Sequence, residues 1–367
     1  MNKMKVLAVL SVFSWPALGA IEVTDNFSIS GFGSTSWAKS DNQEPLMVHR
    51  NITDESCYDC DTIFGLQLDY FRNAFKASVQ VVKRPQDHWD EPELEWAYVG
   101  YEWQAFEFKA GRLRLPLFLA SEYYYVGQAY TSARPASEVY DSALGITAYN
   151  GLSASWHYEV SDSLTAMVTP FVGFKDTNEI QYNQQTEFKF ESSRLWGLDL
   201  NLFGDGYRWH FAYISADYDQ TLTMYDVVQS LPSGGSITIP KIVTETKDQN
   251  IELWSLGLKY EFGQSTLRAE GQINDLSSSL YATGEHHFGR ITPYITYGIE
   301  FDHSEHKESD SYLIGARYDL LDNLSLNAEW QYFEVSKSNG PFVTAPIGST
   351  PDDTDAHLYT LMINFVF

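Results

Sequence analysis

Apolar and polar side chains alternate one by one along most of the chain. Across 323–332, Leu324, Leu326, Ala328, Trp330 and Tyr332 share one side, and Asn323, Ser325, Asn327, Glu329 and Gln331 share the other. Segment 254–262 sets Trp254, Leu256, Leu258, Tyr260 and Phe262 against Ser255, Gly257, Lys259 and Glu261. Segment 196–202 sets Trp196, Leu198, Leu200 and Leu202 against Gly197, Asp199 and Asn201. A period of two belongs to an extended strand with one apolar and one polar face. Sixteen segments are read this way: 27–38, 60–70, 73–83, 92–102, 104–113, 143–159, 163–174, 187–202, 206–218, 249–262, 265–275, 278–288, 290–302, 309–319, 323–335 and 356–367.

The connections alternate in length. Seven are tight, near 71–73, 103, 161–162, 203–206, 263–264, 289 and 320–322. Eight others are mostly longer and polar: 39–59, 84–91, 114–142, 175–186, 219–248, 276–277, 303–308 and 336–355. The pair 276–277 is short for its class; either the register differs there, or subunits meet there. A soluble sandwich alternates locally too, but this many long amphipathic strands have no helices to cover them. No apolar run beyond the N-terminus approaches the ~20 residues of a spanning helix. In hydrocarbon a sheet pairs all its backbone groups only by closing on itself. The expected fold is all-β: a transmembrane antiparallel β-barrel of sixteen strands, one domain over 21–367, in a bacterial outer membrane.

The N-terminus changes this picture little. Lys3 and Lys5 precede the short apolar run Val6–Phe13, and Gly19-Ala20 offers a small-residue cleavage site, so residues 1–20 read as a signal peptide. The formal charge is −25; without Lys3 and Lys5 it is −27, from 22 basic and 49 acidic residues. Nucleic acid is an unsuitable partner for such a chain. Much of the acid lies in the outer loops, where it needs divalent cations to sit beside anionic lipopolysaccharide. The 24 Tyr, 22 Phe and 10 Trp suit strands with one face in lipid. Cys57 and Cys60 lie in an acidic loop with no second metal pair, and a loop disulfide is the favoured reading over a thiol or metal pair. No cofactor is expected.

The most specific stretch follows the fifth strand. Lys109-Ala110-Gly111-Arg112-Leu113 leads into the connection 114–142, which returns through Gly145-Ile146-Thr147-Ala148-Tyr149. This resembles the Gram-negative porin family, in which a strand ending in Gly-Arg opens a third outer loop that folds into the barrel and narrows it. The loop contains Leu115, Leu117, Phe118 and Leu119, apolar residues that suit an inward dock. The last strand places Tyr359, Leu361, Ile363, Phe365 and Phe367 on one face. This is similar to the C-terminal signature read by the barrel assembly machinery, with Tyr359, Phe365 and Phe367 as its main members. The resemblance implies a general-diffusion channel for small hydrophilic solutes, without enzymatic activity, assembled as a homotrimer.

Constriction candidates are Arg112, Arg114, Glu122, Arg134 and Glu138. Strict alternation puts Arg112 on the face of Phe106 and Phe108, toward lipid, unless the strand twists near Gly111. Lumen-wall candidates are Lys76, Glu93, Glu95, Glu107, Lys109, Arg208, Lys259, Arg268 and Arg317, with Glu270 and Glu329 on the same faces. Opposed charges at an eyelet select by size and charge. The alternative is a channel selective for an anion or an oligosaccharide, with Tyr123-Tyr124-Tyr125 as a sugar contact. Less favoured are an adhesin and a hydrolase, the latter from Ser155 and His157 on one strand face without an evident third residue. The histidine pairs 286/287 and 303/306 read as surface residues rather than metal ligands.

Overall fold

The computed structural model describes residues 20–85, 92–143, 146–183, 185–225, 227–230, 236–336, 339–343 and 354–367. The expected leader therefore lies almost wholly outside the described residues. Sixteen antiparallel staves form the wall: β1 Phe27–Ser40, β2 Ile63–Arg72, β3 Phe75–Lys83, β4 Glu93–Trp103, β5 Phe106–Arg114, β6 Ala148–Ser161, β7 Leu164–Gly173 and β8 Thr186–Gly204. The second half continues with β9 Tyr207–Met224, β10 Ile242–Phe262, β11 Ser265–Asn274, β12 Ser277–His286, β13 Ile291–Asp302, β14 Lys307–Leu321, β15 Leu324–Val335 and β16 Asp355–Val366. Each stave pairs with its sequence neighbours, and β16 pairs with both β15 and β1, so the wall closes. Outside the staves, the short strand Ile21–Thr24 pairs with β1.

The alternation works as anticipated. On β10, Trp254 and Leu256 are exposed outward while Leu253, Ser255 and Gly257 are buried inward. The seam is held past the end of β16, where Gly31 N–H donates to the Phe367 carbonyl and Phe367 N–H to the Gly31 carbonyl, both at 2.9 Å. The Phe367 ring fills the space over Gly31, and the Phe365 ring fills that over Gly33. Tyr359 points outward and is exposed.

Three expectations about boundaries shift. β9 runs to Met224 and β10 starts at Ile242, extending this hairpin well beyond 218 and 249. A further strand, Asp176–Asn183, pairs with the outer end of β8 where a loop is expected. Residues 242–248 of β10 are exposed on both faces, so nothing there selects apolar residues at every second position, whereas Asp176–Asn183 buries Ile180 and Tyr182 at alternate positions in a segment too short to stand out among its polar neighbours. β2 and β6 begin later than expected, because residues before them belong to inward loops. The short connection expected at 276–277 falls one position earlier, at Asp275-Leu276: Ile273 pairs with Ser278 across it, and the Asn274 side chain accepts both Leu276 N–H and Ser277 N–H.

The apolar core lies between inward loops and the outer half of the wall. Leu115, Leu117, Phe118, Val139 and Tyr140 of the loop 115–147 pack on Tyr149, Phe171, Leu195, Leu253 and Tyr281. Leu46, Met47 and Ile52 of the loop 41–62 pack on Phe342 of the connection before β16 and on Phe333, Val335 and Leu358 of the wall. These wall residues are apolar on the lumen side, which makes sense only where a loop covers them.

Candidate functional site

A loop folded into a barrel carries its backbone away from bulk water, so its N–H and C=O groups need partners on the wall. The loop 115–147 finds them from Leu117 to Ala133. Ser255 Oγ donates to the Leu117 carbonyl. Leu119 N–H donates to Glu270 Oε2 at 3.0 Å, and Arg208 Nη1 to the Leu119 carbonyl at 3.3 Å. Arg317 Nη1 donates to the carbonyls of Gln128 and Tyr130 at 3.1 and 2.7 Å, and Asn327 Nδ2 to that of Thr131 at 2.6 Å. Ala133 N–H donates to Glu329 Oε1 at 2.7 Å. Inside the loop, single turns at Ser121–Tyr123, Gly127–Ala129 and Ser137–Tyr140 bend the chain to follow the wall.

The root of the loop is fastened by Arg114. Its guanidinium pairs with Glu95, lies 5.0 Å from the Tyr125 ring centroid, and shares Glu95 with Thr147 Oγ1 at 2.8 Å. Arg84 binds Glu95 at 3.4 Å and also Glu93, so both acids serve the loop base. Arg134 sits far along the loop in a buried ion cluster. Its Nε and Nη2 each reach Asp61 at 2.7 Å, Nη2 reaches Thr360 Oγ1 at 2.9 Å, and Glu329 lies 3.8 Å away. Arg50 Nε also meets Asp61 at 2.9 Å. Burial would raise the Asp61 carboxyl, but Arg134, through charge and hydrogen bonds, and then Arg50 outweigh it and hold it well below the usual range. Glu138 is buried against Ser311 and over Gly298, and burial pushes its carboxyl up.

The remaining charges border the open part of the lumen. Glu122 is exposed on the inner edge of the loop. Lys76 and Lys109 stand at one register on either side of Gly100. Both pair with Glu107, Lys109 at 3.3 Å, and their ammonium groups lie 5.9 and 5.5 Å from the Tyr98 centroid. Gly100 has no Cβ because the Lys76 stem crosses there; a Cβ would sit 2.8 Å from Lys76 Cγ. Two lysines sharing one glutamate give this stretch of the lumen wall a charged lining, of the kind that sorts solutes by charge.

The other predicted residues are placed as follows. Arg112 stands at the register of Ala97 and Asn150, on the outward face at the barrel rim. It donates to the Leu94 carbonyl at 2.7 Å and to Asp176 at 3.0 Å. Gly111 keeps φ at 135°, where a Cβ would be 2.3 Å from the Ala97 carbonyl oxygen, but the twist does not bring Arg112 inside. Arg208, Lys259 and Arg268 form one cross-strand row just inward of the loop's dock. Lys259 meets Glu261 at 2.7 Å and Arg268 lies 4.0 Å from Glu285. Cys57 and Cys60 are joined as a disulfide. With Asp59 they are the one three-donor group among the described residues, and the bond occupies both sulfurs. Tyr124 stacks on Tyr140 and Tyr125 is buried under Arg114, while Tyr123 is only partly covered. Ser155 Oγ accepts from Thr169, not from His157.

Sequence reasoning missed Arg50, Asp61 and the whole inward course of the loop 41–62. Its tip holds Met47, His49 and Asn51 at φ of 63°, 69° and 50°. The available signals were Leu46-Met47 and Ile52 inside a polar connection, and Phe333, Val335 and Leu358 at lumen-facing positions.

A family model of Gram-negative porins matches residues 7–364. The fold is similar to the anion-selective porin from Comamonas acidovorans, with 12% identity over 93% of this chain and 99% of that one, at a TM-score of 0.60. It is similar to Salmonella typhi OmpF in complex with daunomycin, with 12% identity, 95% and 100% coverage and a TM-score of 0.59. In-vitro folded OmpT of Vibrio cholerae in its trimer form gives 12% identity, 93% and 99% coverage and a TM-score of 0.51. No curated protein sequence matches the chain.

Proposed function

The chain belongs to the Gram-negative porin family and forms an outer-membrane channel, and from that premise we propose a passive, water-filled route for small hydrophilic solutes and ions. The observation that carries this reading is the docked loop 115–147, tied to the inner wall from Leu117 to Ala133, with Lys76, Lys109 and Glu107 as charged groups on the lumen face of the wall. A lumen narrowed and lined in this way sorts by size and charge and needs no chemical step. Arg114, Arg134 and Glu138 hold the loop in place and define the passage indirectly.

The finer features belong to the same reading. The trimer form of the Vibrio cholerae relative supports a homotrimer here. The short Asp275-Leu276 connection, with Leu276 exposed, leaves the rim low for a neighbouring subunit. The signal peptide is removed after Ala20, which the mass of the mature chain reads directly. Acidic outer strands bearing Glu179, Glu187 and Glu191 adjoin lipopolysaccharide through divalent cations, so chelation loosens the protein in native membranes.

Liposome swelling with neutral sugars of graded size tests the main reading. Uptake rates fall smoothly with sugar size and do not saturate. Saturation by one sugar, or block of ionic current by it, would replace diffusion with a substrate-selective channel for that solute.

A further inference from the structure

Charge is sorted between the two faces of the sheet that rises above the outer rim. This sheet joins Asp176–Asn183 to the outer ends of β8, β9 and β10. One face sets Glu179, Lys189, Thr221 and Glu245 in a single cross-strand row, with Glu187 and Glu191 on either side of Lys189 along β8. The opposite face carries no acid, lysine, arginine or histidine over 178–182, 186–192, 218–224 and 242–246. Asp176, at its foot, is engaged by Arg112 and Asn150. The uncharged face is the one toward the lumen: Tyr218 continues the alternation of Ile214 and Ala216 on β9, which pack in the core with Leu115 and Leu117. The sheet also leans over the mouth. His49 Nδ1, at the tip of the loop 41–62, lies 3.1 Å from the Gln181 carbonyl, and Asn339 Nδ2 donates to the Tyr182 hydroxyl at 3.3 Å.

Aromatic rings run obliquely down this face. Tyr182, Phe188, Phe190 and Tyr218 follow one another at centroid distances of 5.9, 5.9 and 5.8 Å. Phe188, Phe190 and Tyr218 are only half-buried. Asn178 and Gln220 stand at the register of Phe190, one on each side of it, and their side-chain amides make no hydrogen bond among the described residues. An amide offers two N–H donors and an accepting oxygen in one plane. A ring with such an amide on each side suits a ligand with an apolar C–H face and a rim of hydroxyls, which is the chemistry of a pyranose. An ionic solute would lose water here with no opposite charge on the face to replace it. A purely apolar solute would leave both amides unpaired.

We propose that this face is a binding site for neutral oligosaccharide solutes at the channel mouth, with the Phe190 ring under a pyranose and the Asn178 and Gln220 amides on its hydroxyls. A site of this kind takes its affinity from apolar and aromatic surface and its orientation from a few polar groups. Phe188 and Tyr218 extend the platform on either side of Phe190, so a chain of several sugars rests on more than one ring and is held above the constriction. A single sugar engages one ring and passes unretained, which keeps the uptake of small sugars unsaturated. The far face, with its acids and Lys189, has no comparable platform and takes no part.

The inference rests on the channel reading, and the test separates the two. Saturation-transfer NMR on the full-length protein in detergent uses hexasaccharides of glucose, mannose, galactose, xylose and N-acetylglucosamine, with the galacturonate hexamer as a charged control. At least one neutral chain binds saturably, and the galacturonate chain does not. Phe190→Ser weakens that binding roughly tenfold, the scale of one lost aromatic contact. Asn178→Ala with Gln220→Ala also weakens it while keeping the ring, and serves where Phe190→Ser does not insert. Lys189→Gln, on the charged face, binds like wild type. Salt conductance in planar bilayers stays at the wild-type value in every variant, because none of these residues borders the constriction. A conducting wild type that binds none of the neutral chains overturns the proposal and leaves the channel reading intact. So does binding that survives both Phe190→Ser and the double amide variant, or galacturonate binding of equal strength. A wild type without conductance overturns the channel reading and, with it, a site at a channel mouth.

Discussion

Leu119 occupies the space that a side chain at Gly257 would need: a Cβ on Gly257 would sit 2.7 Å from Leu119 Cγ. The constriction loop is thus seated in a hole in the wall, and Gly298 makes a second such hole under Glu138. Gly257→Val should push the Leu119 segment off the wall. Overpacking of this kind costs about 1–3 kcal/mol, enough to shift the loop without unfolding a barrel held by sixteen paired staves. The expected outcome is altered single-channel conductance with an unchanged strand signal in circular dichroism. Wild-type conductance in Gly257→Val would mean that the loop does not depend on this seat.

Charge selectivity should follow Lys76 and Lys109 and ignore Arg112. The two lysines border the open passage, whereas Arg112 is engaged with Asp176 on the outer face of the rim. In a salt gradient, Lys76→Gln with Lys109→Gln should move the reversal potential toward that of a cation-preferring pore. Arg112→Gln should leave it within error of the wild type. A shift from Arg112→Gln alone would put its guanidinium in the permeation path and contradict the placement described above.

The staves were legible because lipid on one side and water on the other impose alternation, as at 323–332. Where both sides are exposed, as over 242–248 of β10, water imposes no alternation and the strand is not legible; in Asp176–Asn183 only Ile180 and Tyr182 alternate, too few to mark a strand. The inward course of the loop 115–147 was legible from Leu115, Leu117, Phe118 and Leu119, which would otherwise face water. Its anchor at Asp61 was not. Arg134 and Asp61 lie 73 positions apart, and local pattern carries no sign of which distant charges meet. Arg112 shows the same limit from the other side: alternation located it correctly, and motif likeness pulled it inward.

The Arg134–Asp61 pair should behave as a buried anchor. Removing one partner of a buried ion pair costs about 3–5 kcal/mol, and Asp61→Asn should lower thermal stability accordingly. The pH dependence follows from the depressed Asp61 carboxyl. A lowered acid pKa contributes stability above the unfolded value, near 4, and loses it only as pH falls through the folded value, which lies lower still. The difference in melting temperature between wild type and Asp61→Asn should therefore stay constant from pH 8 to about 5 and fade only below the unfolded pKa. A difference that disappears between pH 7 and 5 would show that Asp61 is not held ionised by the two arginines.

The loop 41–62 offers a comparison between a covalent tie and packing. Its disulfide closes only the short Cys57–Cys60 turn, and loop-closure entropy assigns such a small ring about 2 kcal/mol. Ile52 and Leu46 are fully buried against Phe342 and the wall, and truncating a buried Ile or Leu to Ala costs about 2–5 kcal/mol. Ile52→Ala should therefore destabilise the outer mouth at least as much as Cys57→Ser with Cys60→Ser. Proteolysis of the loop in intact vesicles reads this directly, with cleavage faster in Ile52→Ala. The opposite order would make the disulfide the main fastening.

The seam between β1 and β16 gives the last prediction. Phe367 contributes a backbone carbonyl and N–H to Gly31 and covers it with its ring, so a Cβ at Gly31 would fall 2.3 Å from the ring. The backbone pairing survives Phe367→Ala, while the ring contact does not. Gly31→Val does the reverse: it keeps the ring and forces it off the seam. If Phe367 acts only during assembly, Phe367→Ala should reduce the amount of inserted barrel, and the barrels that do insert should melt like wild type. The ring's position over Gly31 argues otherwise. Both variants should lower the temperature at which the folded barrel loses its compact mobility in detergent gels. A normal melting temperature in refolded Phe367→Ala would confine this residue to assembly.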